Sequence, residues 1–189
     1  NLRQLQLAPL RGRGSLRLFM GMGMALVAAF TMILSVPLPA ATGWLGGALL
    51  FGLWSYNQFR KLPFGDPKFS GTSEYRLCTR HALYSAVLWG TPFWLQGLSP
   101  TLDHVLSMWT IAVLMMVTLA IVAHSVPLAC TLFIAPVTLS AAVALVRAGA
   151  PQLAGVALVA GLLLCAFCVR FAQSHVRFRR AEETLHEKT

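Results

Sequence analysis

The stretch Val105–Val146, VLSMWTIAVLMMVTLAIVAHSVPLACTLFIAPVTLSAAVALV, contains no Lys, Arg, Asp or Glu. One straight helix of that length would reach about 63 Å, twice the ~30 Å hydrocarbon core of a bilayer. The segment must therefore fold back on itself. His124-Ser125-Val126-Pro127 is the polar, proline-containing break, which gives spans from Val105 to Ala123 and from Pro127 to Val146.

Working outward, the turn Arg147-Ala-Gly-Ala-Pro-Gln152 leads to a sixth span, Leu153 to Val169. Upstream, Ser99 to His104 forms a brief loop after a short aromatic third span, His81 to Leu98, in which Gly90-Thr91-Pro92 predicts a kink. A second span runs from Thr42 to Asn57, with Trp44, Trp54 and Tyr56 as interfacial anchors. The first runs from Leu18 to Val36 and ends at Pro37 and Pro39. The fold expected is all-α: a polytopic membrane protein of six transmembrane helices with a cytoplasmic exit helix. Its parts are a cytoplasmic segment 1–17, a transmembrane domain 18–169 and an exit helix from residue 170 to residue 189.

Charge orients this arrangement. Of 15 Lys and Arg residues, all but Arg147 fall on one side of the implied bilayer. By the positive-inside rule that side is the cytoplasm, so both termini are expected there. Composition agrees, with 57% hydrophobic and 11% charged residues, where a soluble domain carries about 25% charged. The net charge of +9 sits at the flanks of apolar spans, where anionic lipid attracts it, and this argues against nucleic acid as a partner. Arg11, Arg13 and Arg17, the apolar run and Pro37-Leu38-Pro39-Ala40-Ala41 have the outline of a secretory leader. The segment is read here as a membrane helix. Asn1 is no initiator and Thr189 falls within a charged helical pattern, so a longer polypeptide is expected.

Small residues mark expected helix contacts at Gly43-x-x-x-Gly47 and Ala157-x-x-x-Gly161. Beyond Arg170, Phe171, Phe178 and Leu185 recur every seven residues, and Arg179 and Glu183 are spaced as an i,i+4 pair. This pattern predicts the start of a parallel two-stranded coiled coil, hence a homodimer. The other reading is a basic helix whose side chains snorkel at the membrane exit.

Chemistry is sparse. No catalytic constellation is present: there is no Walker loop, H-E-x-x-H, nucleophile elbow or kinase signature. His81 and His124 fall at the inner ends of the third and fourth spans, at similar depth, and would form a bis-His haem or copper site if their imidazoles faced each other. Asp103 and His104, at the outer mouth of the fourth span, are candidates for sensing a proton or small ligand. The plainer role for Asp103 is capping the helix. Cys165 and Cys168 share a helix face and could meet a soft metal, but free cysteine in apolar helices is usually a packing residue. No metal site is therefore assigned, and the cofactor is left open.

The Leu-Tyr-Ser-Ala-Val-Leu-Trp-Gly-Thr-Pro stretch from Leu83 to Pro92, the basic loop after the second span, and the exit Arg-Phe-Arg-Arg-Ala-Glu-Glu-Thr-Leu carry a likeness. Over roughly Leu16 to Thr189 the chain resembles the six-span N-terminal membrane sensor regions that precede PAS, GGDEF and EAL domains in cyclic-di-GMP phosphodiesterases and cyclases. Some histidine kinases share this arrangement. The resemblance implies a sensory or anchoring module whose packing changes pass through the exit helix. The catalytic residues of such output domains lie outside this chain, so none is carried over. Two other expectations stand beside it: a structural accessory subunit of a larger membrane complex, and a small transporter. The absence of midplane charge argues against the transporter.

Overall fold

The computed structural model describes residues 14–61, 72–97, 100–123 and 126–186. Among them the chain is all-α, with six helices: α1 (Gly14–Ile33), α2 (Leu38–Arg60), α3 (Thr72–Leu95), α4 (Leu102–Ala123), α5 (Pro127–Arg147) and α6 (Pro151–His186). The break expected between Ala123 and Pro127 is where α4 ends and α5 begins.

Three helices are both long and apolar enough to cross a bilayer: α4, α5, and α6 over Pro151–Ser174. Six such spans were expected and only these three qualify among the described residues, for local reasons. The apolar segment of α1, Leu18–Ile33, is shorter. The first turns of α3 carry Glu74, Arg76 and Arg80, and the apolar remainder covers only about 22 Å at 1.5 Å per residue. Glycines at 43, 46, 47 and 52, then Asn57, Gln58 and Arg60, dilute α2.

Prolines and glycines place the helix ends. Met32 O accepts from the Ser35 and Val36 amides at 2.9 and 2.8 Å, closing α1. Pro37 then caps α2, and Pro39 lies in its first turn, where a missing N–H costs nothing. Hence α2 begins at Leu38, earlier than the expected Thr42. At the end of α5, Gly149 takes φ +77°, so the Gly149 amide reaches Val146 O and the Ala150 amide reaches Leu145 O at 2.9 Å. This Schellman turn terminates α5 and delivers the chain to Pro151.

The helices form an up-down bundle around α5, which has 56% of its span buried against 33% in α4 and 22% in α6. It packs on α3, α4 and α6, while α1 packs on α2 and α4. Small side chains let these helices approach. A Cβ at Gly161 would sit 2.6 Å from Thr138, so α6 lies against α5 because residue 161 has no side chain. Ala157, one turn earlier, is also buried. At Gly90 of α3 a Cβ would lie 3.0 Å from Ser140 Oγ, and Trp94 Nε1 donates to the same oxygen at 3.2 Å. The expected seam at Gly43 and Gly47 is not formed among the described residues. Both are exposed with none of those residues within 4 Å of a Cβ, because α2 buries the face of Ala41, Trp44 and Ala48 instead.

Pro92 does not break α3, which runs through it to Leu95. Lacking an N–H, Pro92 leaves the Leu88 carbonyl without its helical partner. Trp44 Nε1 of α2 donates to that carbonyl at 2.7 Å, and its ring meets Trp89 edge-on at 5.6 Å. The proline expected to bend the helix thus supplies an acceptor that joins α3 to α2.

The surface is apolar. Leu50, Leu162, Phe19 and Phe30 are each at least 70% exposed. Soluble proteins rarely expose contiguous apolar patches beyond a few hundred Å². The helices present these side chains as a bilayer-embedded bundle does.

Candidate cavity beside His81

At the end of the bundle where α1, α3 and α5 begin and α2 and α4 finish, the five helices line a partly open cavity of about 200 Å³. Its origin lies in residue size. Gly21 and Ala25 of α1, Ala48 and Gly52 of α2, Ala82 of α3 and Ala129 of α5 converge at one level, so no large side chain fills the space. Larger walls come from Met22, Leu88, Trp89, Met115, Leu119 and Phe133. Ser55, Tyr56, Ser85 and His81 are the principal polar residues lining it, and among the described residues no Lys, Arg, Asp or Glu does.

His81 is 5% exposed although it follows Arg80. Its Nδ1 lies 2.9 Å from Leu77 O. A carbonyl only accepts, so Nδ1 carries the proton, and in the neutral ring Nε2 is left as an acceptor. Nε2 is buried with no partner among the described residues. An unsatisfied buried acceptor of this kind costs roughly 1–3 kcal/mol. Aromatic rings of α2 surround the imidazole: Trp54 stacks on it at 4.7 Å and 14°, Phe59 meets it at 5.0 Å and Phe51 at 6.0 Å. Trp54 is itself 41% exposed, so this cage borders the lipid-facing surface.

His124, the other half of the expected bis-His pair, lies outside the described residues. Asp103 and His104 lie at the opposite end of the bundle from the cavity. Thr101, not Asp103, precedes α4, and its hydroxyl hydrogen-bonds His104 Nδ1. Asp103 is exposed in the first turn, where its negative charge suits the helix dipole, and its carbonyl accepts from Ser107 Oγ at 2.8 Å. Phe171 of the expected dimer seam is exposed and stacks on Phe167 at 5.5 Å. Phe178 and Leu185 are on α6, but their side chains lie outside the described set. Cys168 is fully buried with its thiol hydrogen-bonded to Cys130 of α5, while Cys165 is half-buried beside them.

Sequence reasoning singled out His81 but missed the cavity. The signal was present as small residues four apart, Gly21-x-x-x-Ala25 and Ala48-x-x-x-Gly52, and as Phe51, Trp54 and Phe59 clustered on α2. Such spacings recur by chance, and only the register between helices brings them to one level. Comparisons with protein families, with curated proteins and with solved structures gave no match.

Proposed function

We propose that this chain is a membrane-embedded sensory module of a bacterial signal-transduction protein. All six helices cross the inner membrane, with the cavity end and the far end of α6 in the cytoplasm. The output under its control would be a cyclic-di-GMP phosphodiesterase or cyclase. The observation that carries the reading is α6, a single helix from Pro151 to His186. At 1.5 Å per residue it is about 54 Å long against a ~30 Å core, so its last turns project well beyond the membrane. A helix joined without a break to the bundle can deliver rotation or tilt to whatever follows it.

The placement of charge supports the orientation. Arg60, Lys61, Arg76, Arg80, Arg170 and Arg177 belong to the cavity end, and Arg147 belongs to the other, its guanidinium 4.7 Å from the Trp94 ring centre. Insertion of one to four alanines after Arg170, in a chimera with a phosphodiesterase reporter, tests transmission. Each residue turns the following helix by about 100°. Output that rises and falls with helical period supports the sensory reading. Output indifferent to the insertions, together with co-purification at fixed stoichiometry in a larger complex, would assign the chain to a structural subunit instead.

A further inference from the structure

We propose that the cavity beside His81 binds a small, neutral, lipophilic aromatic alcohol of the phenol class, its ring in the cavity and its hydroxyl donated to His81 Nε2. This deepens the sensory reading by naming the class of cue, and rests on it for the use to which binding is put.

Size comes first. An engineered apolar cavity of about 150 Å³ holds benzene, so ~200 Å³ takes one ring and a substituent. Charge comes second. With no Lys, Arg, Asp or Glu among the described residues of the lining, an ion would be desolvated without compensation from them, which favours a neutral ligand. Hydrogen-bond polarity comes third. Leu77 O takes the Nδ1 proton, so the imidazole offers an acceptor, and a ligand that only accepts finds no donor there. Nε2 has no partner among the described residues, so a donor supplied by a ligand satisfies it. Access comes last. Phe51 and Phe59 line the cavity and flank the imidazole at 6.0 and 5.0 Å, so a shift of these rings opens the sealed Nε2 to a molecule in the cavity.

The test uses the full chain in lipid nanodiscs, isotope-labelled at the histidine ring nitrogens, titrated with phenol, anisole and benzene. The expected result is a saturable shift of the His81 Nε2 resonance with phenol and about tenfold weaker binding of anisole, which has the ring but no donor. His81→Phe should abolish the preference for phenol over anisole. Ala48→Phe, which fills the cavity, should abolish saturable binding while the His81 Nδ1 signal reports an intact fold. A phenol shift that never saturates, equal binding of anisole, or binding that survives Ala48→Phe overturns the proposal. Saturable phenol binding that leaves a reporter behind α6 unmoved keeps the site and rejects the sensory reading. Failure of binding rejects the site, with the alanine-insertion result still deciding that reading.

Discussion

The two ends of the bundle are built from similar apolar side chains and differ in the size of those that face inward. Where α3 and α5 finish, Phe93, Val105, Met108 and Leu145 are each no more than 1% exposed, and the Gly149 turn joins α5 to α6 tightly. Where the same helices begin, glycines and alanines face one another and about 200 Å³ stays unfilled. Hydropathy is nearly blind to this contrast, since Ala and Phe both count as apolar. The volume of the inward-facing residues makes one end a clamp and the other a receptacle.

The comparison can be broken most sharply at the clamp. Phe93→Ala should cost about 3–5 kcal/mol in detergent-mixed-micelle unfolding, the usual toll for emptying a packed aromatic site. Met115→Ala at the cavity wall should cost clearly less, because that side chain already borders open space. Equal losses would mean that the two ends are packed alike. A smaller contrast lies between glycines. Gly161→Ala must push against Thr138 and should cost roughly 1–3 kcal/mol, whereas Gly47→Ala meets nothing and should stay within about 0.5 kcal/mol.

The link between α2 and α3 gives a test of mechanism. Trp44→Phe keeps a ring but strips the Leu88 carbonyl of its donor, an expected loss of roughly 1–3 kcal/mol. Pro92→Ala returns a helical N–H to that carbonyl, so the penalty of Trp44→Phe should shrink in the Pro92→Ala background. An additive double-mutant cycle would show that proline and tryptophan do not share this acceptor. A small effect is expected at the rim where α5 ends. Arg147→Gln removes the cation facing Trp94 and should lower stability by about 0.5–1 kcal/mol.

Much of the helical plan was legible in the residues. The uncharged run from Val105 to Val146 demanded a fold-back, and the chain turns where the polar and proline break lies. Ala157 and Gly161 were readable as a seam from their spacing, and a Cβ at Gly161 would meet Thr138 of α5. Gly43 and Gly47 had the same spacing yet face outward, since periodicity says which residues share a face and not which face is buried. Pro92 marked a gap in the hydrogen bonding of α3, but the fate of its freed carbonyl depends on an indole 44 positions earlier. The cavity was illegible for the same reason: its walls come from five helices, and their relative register is not written in any one of them. His81 stood out as a lone imidazole at the base of a span, but its orphaned Nε2 follows from the Leu77 contact and the rings of α2.

The most direct test of the whole arrangement is sidedness. In a cysteine-free background, Gly149→Cys, Lys61→Cys and Gln173→Cys, examined singly in intact cells with a membrane-impermeant maleimide, report which end of the bundle faces out. The arrangement requires labelling at position 149 from outside, and at 61 and 173 only after the membrane is opened. Labelling of 61 or 173 on intact cells, or protection of 149, would contradict an even number of crossings with the His81 cavity on the cytoplasmic side.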